Sequence, residues 1–93
     1  MKHLGSLTGT GTVDVKGVAA GNIEYSIDVW LDERNLIKSA AGSAKGDMNA
    51  FNKAFNAGGG RLNLESGGAV DFIIAKFGVN GAELKVTGPV PGF

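Results

Sequence analysis

This chain of 93 residues predicts a mainly β fold with one short α-helix: a small six-stranded, mostly antiparallel barrel or strongly curled sheet, in the order β-β-β-α-β-β-β. Three observations carry that expectation. Residues 7–16 and 22–32 alternate apolar and polar side chains with period two, the mark of half-buried strands. One short run, Met48–Asn56, has helical spacing and lies between Asp47 and three consecutive glycines. Glycine supplies 16 of the 93 residues without collagen's three-residue period, which points to tight turns and bent strands.

In the first strand, Leu7, Gly9, Gly11, Val13 and Val15 share the inward face, and Thr8, Thr10, Thr12, Asp14 and Lys16 the outward one. The second strand turns Ile23, Tyr25, Ile27, Val29 and Leu31 inward, with Gly17–Gly21 expected as the connecting hairpin loop. Leu36–Lys45 is ambiguous, because Ile37, Ala41, Ala44, Met48, Phe51 and Phe55 would also line one long helix. Gly42 and Gly46 would each cost such a helix about 1 kcal/mol. Asp47 is a good N-cap just after Gly46. A third strand over 36–44 followed by a helix over Met48–Asn56 is therefore the preferred reading, with Met48, Phe51 and Phe55 as the apolar stripe covering the open end of the sheet. Gly58-Gly59-Gly60 ends the helix. Leu62 and Leu64 alternate with polar neighbours, Ser66-Gly67-Gly68 is a turn, and 69–77 is apolar on both faces apart from Asp71 and Lys76. Asn80-Gly81 signals a hairpin before a last strand with Ala82, Leu84 and Val86 inward.

One domain, 1–93, is expected, with residues 1–5 frayed and 88–93 an extended Pro/Gly tail. Leu, Ile, Val and Phe total 25 of the 93 residues, enough for a folded core. Nine basic and nine acidic side chains cancel, which argues against an electrostatic grip on nucleic acid or an anionic membrane. Without Cys there is no disulfide framework, thiol catalysis or cysteine-ligated zinc. Residues 1–6 precede no apolar run, and no window is long enough to span a membrane as a helix, so a soluble and, in a bacterium, cytoplasmic protein is expected.

A helix between the third and fourth strands is also the arrangement of the oligonucleotide-binding (OB) fold, an analogy of topology alone. The elements Ala41-Gly42, Gly46-Asp47, Ala54-Phe55-Asn56-Ala57-Gly58, Leu62-Asn63-Leu64 and the ending Gly88-Pro89-Val90-Pro91-Gly92-Phe93 resemble a group of short uncharacterised bacterial proteins that end in GPVPGF. The likeness covers the C-terminal half in turn and core residues, and it implies no function.

No cofactor, metal or small-molecule ligand is expected. Gly9-Thr10-Gly11-Thr12-Val13-Asp14 begins like a dinucleotide fingerprint, but Asp14 stands at the third small position and the glycines lie within a strand. His3, the single histidine, falls in the end expected to fray, where neither a metal site nor a triad would be held. Glu24, Asp28 and Asp32 share one strand face at intervals of four residues, about 13 Å apart, too far for a glycosidase pair. Asp14 comes within reach of Glu24 or Ser26 in one hairpin register. Asp71 is expected to face solvent; if buried it would need Arg61, Lys85 or backbone N–H groups as partners. Lys76-Phe77 beside Lys85 is the nearest approach to a basic and aromatic nucleic-acid surface.

Trp30 falls on the polar face of the second strand with Glu24, Ser26, Asp28 and Asp32, expected near Thr8 or Thr10 of its neighbour. A bulge near Val29 would instead turn it inward. An exposed tryptophan is the side chain most enriched at binding hot spots, so Trp30, with Val90 and Phe93, is the candidate interaction site. The expectation is a small non-enzymatic module that associates with itself or with another macromolecule, a protein partner in particular. An OB-like nucleic-acid binder is the alternative, and a carboxylate-based enzyme comes third.

Overall fold

Lys16 and Gly17 adopt left-handed backbone angles (φ 54° and 80°) and turn the chain in two residues, the geometry that matches the twist of paired strands. The computed structural model describes residues 2–93. Around this tight turn run β1 (Lys2–Val15) and β2 (Val18–Asp32), and β3 (Ile37–Gly46) follows. After α1 (Met48–Ala57) come β4 (Gly60–Asn63), β5 (Ala69–Gly78) and β6 (Gly81–Val86). All pairings are antiparallel, and the sheet closes in the order β1-β2-β3-β6-β5-β4. The fold class read from the sequence is the one observed.

Several local expectations shift. The first hairpin loop is Lys16-Gly17 rather than Gly17–Gly21, and the extra residue Ala20 is taken up as a bulge opposite Val13 and Asp14. The β5–β6 turn is Val79-Asn80, because Gly81 already pairs with Gly78. Residues 2–5 belong to β1, where Lys2, His3 and Gly5 pair with Leu31, Trp30 and Val29 rather than fraying. The bulge anticipated near Val29 sits on the opposite strand, at Leu4, so Trp30 keeps its outward position.

Alternation then fills the barrel. Val13, Ile27, Val29, Leu62 and Val70 are fully or almost fully buried, beside Phe72 and Leu84. One end is closed by α1. Asp47 caps it, its carboxylate accepting from the Asn49 N–H at 2.9 Å, and Gly59 N–H reaches back to the Ala54 carbonyl at 2.8 Å. The buried helix face is Ala50, Phe51 and Ala54, not the stripe Met48, Phe51 and Phe55: Met48 is 42% and Phe55 50% exposed. The reason is close approach. A six-stranded barrel admits one ring at its end, and the two alanines let the helix sit down on the rim. Phe55 lies instead at the margin, its ring 5.3 Å from that of Phe77.

The remaining face is set by the tail. Gly88–Phe93 is not a free extension, since Val90 and Phe93 are half-buried against the core. Two residues without side chains seat it: a Cβ at Gly68 would lie 2.7 Å from Pro91 Cγ, and one at Gly5 would lie 2.8 Å from Phe93 Cζ.

Candidate functional site

The barrel is incompletely zipped beside the start of β3. Pairing of β3 with β6 runs from Ala44↔Ala82 to Ala41↔Lys85 and stops there. The same register would bring Thr87 opposite Ser39 and Pro89 opposite Ile37. Pro89 has no N–H and restrains the residue before it, so it cannot extend a ladder. The chain turns to β5 instead, where the Thr87 N–H donates to the Asp71 carbonyl at 2.9 Å. Among the described residues, Ile37–Ala40 therefore pair with β2 on one side and with no strand on the other.

The split opens a cleft of about 340 Å³. Lys38 and Ala40 form one wall, and Val86, Thr87, Val90 and Phe93 the other. Lys38 occupies an inward position of β3, and its ammonium donates to the Phe93 carbonyl, tying the tail across the cleft. Phe93 N–H in turn donates to the Val90 carbonyl at 3.1 Å, fixing the turn that presents both side chains.

Trp30 stands on the outer face of the neighbouring β2, paired with Ser39 on β3 and with His3 on β1. Thr8 and Thr10, the neighbours expected for it, lie opposite Ser26 and Glu24, because the two-residue turn lengthens the ladder. The indole is 36% exposed, and the His3 ring covers part of it at 4.7 Å between centroids. His3 is thereby held rather than loose: its Nε2 lies 3.2 Å from Asp28 Oδ1, which also accepts from Ser6 Oγ at 2.7 Å. Val90 and Phe93 thus line the cleft on the open side of β3, whereas Trp30 lies on β2, on the paired side of that strand.

Against family models, curated proteins and solved structures alike, the chain has no match.

Ser6, His3 and Asp28 are the residue types of a hydrolytic triad, but they are wired differently. In a triad the histidine bridges, receiving the serine proton on one nitrogen and giving its other N–H to the carboxylate. Here Ser6 donates directly to Asp28, and the same His3 Nε2 faces both Ser6 and Asp28. The shorter bond of the serine hydroxyl is to the carboxylate and not to the imidazole, so the relay order of a triad is not formed. The arrangement fits the surface of β1 and β2 together and supports the ring that lies on Trp30.

These bonds alter Asp28. The Ser6 hydroxyl, then the His3 ring as donor and as a charge, hold its carboxyl below the ordinary carboxylate range. A depressed carboxyl pKa gives stability that is present above the ordinary value and is lost as pH falls through the lowered one. The Asp28 carboxyl resonance should therefore titrate below the ordinary aspartate range. In Ser6→Ala its midpoint should move back up, and an unchanged midpoint would remove the hydroxyl as the main cause.

The other carboxylates do not converge. Glu24 faces Thr10 and Lys45, and Asp32 accepts from the Arg34 N–H. Asp14 approaches neither Glu24 nor Ser26. It pairs with Ala19 and Arg61 and accepts from Asn63 Nδ2 at 2.9 Å. Asp71 is exposed, 3.1 Å from Arg61 Nε. Gly9 and Gly11 lie within β1, not in a loop entering a helix. Among the described residues, no group of three or more His, Cys, Asp or Glu is placed to hold a metal, and no helix is long and apolar enough to cross a membrane.

Lys38, Ala40 and Thr87 escaped the sequence reading as cleft residues. A signal for the cleft was present in Pro89 and Pro91, placed just where the last strand would otherwise continue along its neighbour.

Proposed function

We propose that this chain is a non-enzymatic binding module that associates with a polypeptide, either a second copy or another protein, through the edge of β3. The observation that supports this best is the unpaired edge of β3 with a cleft beside it lined by Ala40, Val90 and Phe93, one strand away from the exposed Trp30. Exposed tryptophans and open edges are both features that isolated proteins tend to cover.

Trp30→Ala tests the reading. The indole is outside the core, so the fold should lose less than about 1 kcal/mol, while association should weaken by about 2 kcal/mol or more. Sedimentation of the native particle and chemical unfolding measure the two separately. An association unaffected by the change would remove Trp30 from the site.

The OB-like alternative draws on the helix between β3 and β4. Its nearest basic surface is weakened by Lys76, which lies 3.6 Å from Glu83, and by the burial of Tyr25, Phe51 and Phe72, rings that would otherwise stack on bases. Single-stranded DNA should bind no better than about millimolar at physiological salt, with little salt dependence. Micromolar binding that weakens steeply with salt, read by anisotropy of a labelled oligonucleotide, would favour the nucleic-acid reading over the polypeptide one.

A further inference from the structure

Beyond Thr87 the chain is attached to the barrel in a different way from the strands before it. The bond from the Thr87 N–H to the Asp71 carbonyl is the last between their backbones. Among the described residues, no backbone group of Gly88–Phe93 bonds to the backbone of a strand. The one backbone bond of the segment, from the Phe93 N–H to the Val90 carbonyl, is internal. Proline at 89 and 91 removes two of its donors outright. Side chains hold it instead: Val90 and Phe93 half-buried on the core, Pro91 above Gly68, and the Lys38 ammonium on the Phe93 carbonyl.

The seat of Phe93 is a gap in the barrel itself. Gly5 pairs with the fully buried Val29, so it holds an inward position of β1 that lacks a side chain. The tip of the Phe93 ring fills that place, since a Cβ at Gly5 would lie 2.8 Å from Cζ and 2.9 Å from Cε1. A ring brought in by the tail thus does what a residue of β1 would otherwise do.

We infer that Gly88–Phe93 is a hinged strap, which swings away from this end of the barrel as one piece while the six strands stay paired. Gly88 is the hinge. It has the backbone freedom of glycine, and even a Cβ built there would meet nothing closer than Asp71 Oδ2 at 3.5 Å. The prolines keep the moving part extended, and the bond between Phe93 and Val90 travels with it. Opening breaks one hydrogen bond to the barrel, that of Lys38. Local openings that expose little surface need far less free energy than global unfolding. Closed, the strap lies across the cleft beside the unpaired β3 edge, and covering loops are one way in which proteins shield such edges. Open, it leaves Ala40 and Val86 of the cleft wall bare.

The chain holds no cysteine, so a single introduced thiol reports opening at its own position. Ala40→Cys places it on the cleft wall, where the native residue is 4% exposed. Val70→Cys, on β5 at a position 1% exposed, is the reference for the barrel. In the full chain at high dilution, the thiol at 40 should react with a disulfide reagent about tenfold or more faster than the thiol at 70. Its rate should hardly change in mild urea, whereas the reference should accelerate with the slope of global unfolding. Adding Gly5→Val supplies the missing side chain and displaces the ring. It should raise the rate at 40 by about tenfold or more and leave the rate at 70 unchanged. Relaxation dispersion reads the same motion in the unsubstituted chain, as exchange at Val86, Val90 and Phe93 but not at Val70 or Phe51.

Equal rates and equal urea slopes at 40 and 70 would overturn the strap, because the segment would then come away only with the barrel. A rate at 40 indifferent to Gly5→Val, or exchange spread evenly over the core, would overturn it as well. Labelling at high dilution involves no partner, so these outcomes are separate from the reading of β3 as a binding edge, which stands or falls by association and its response to Trp30→Ala.

Discussion

Phe51→Ala should cost about 3–5 kcal/mol, the range for deleting a fully buried aromatic ring. Phe51 is 1% exposed and is the one ring that α1 lowers into the end of the barrel. Ala50 and Ala54 beside it are too small to refill the space, so the cavity persists. Domains of this size have only about 5–15 kcal/mol in total, so the variant should melt far below the parent. Phe55→Ala is the internal comparison. Half exposed and resting on Phe77, it should cost only about 1 kcal/mol. Equal losses at the two sites, read by urea midpoint, would mean that the helix sits on the barrel by a different face.

Gly42→Ala should destabilise by about 3 kcal/mol or more, although only one methyl group is added. Gly42 lies on the inward side of β3, paired with Ile27. A Cβ there would fall inside contact distance of the Ser26 carbonyl oxygen and 2.7 Å from Ile27 Cα. Both obstacles are backbone, so no side chain can turn aside. The β2 and β3 strands would have to part at the middle of their ladder, beside the fully buried Ile27. Ala41→Val, one residue away on the exposed face, adds more volume but should change stability by less than about 1 kcal/mol. A Gly42→Ala protein as stable as Ala41→Val would show that the ladder yields without cost.

At the candidate site, legibility divided by residue. The outward placement of Trp30 followed from alternation and is observed, since the counter-shifting bulge lies at Leu4 on the opposite strand. Its neighbours did not follow, because one turn of two residues in place of a longer loop moves every cross-strand partner. His3 was misjudged for a related reason. A terminal residue frays only if nothing holds it, and what holds His3 is Trp30 and Asp28, more than 20 residues away in the chain. The tail was read as an extended segment offering Val90 and Phe93 for contact, yet both are half-buried because Gly5 and Gly68 leave room above the sheet.

Local patterns by themselves determined the number and kind of elements: period-two alternation for the strands, Asp47 and the triple glycine for the limits of the helix. These are short-range effects, governed by side-chain direction and backbone freedom within a few residues. Only the tertiary structure decided which side of the helix is buried, where the tail lies, and that β6 leaves β3 at Ala41↔Lys85. Each of those depends on a contact between segments far apart in sequence, and packing there is settled by steric fit, whether of two alanines on a rim, a ring above a glycine, or a proline that cannot pair. Pro89 marks where pairing must stop, but which neighbour β6 leaves, and so the cleft beside β3, becomes visible only when the barrel is closed.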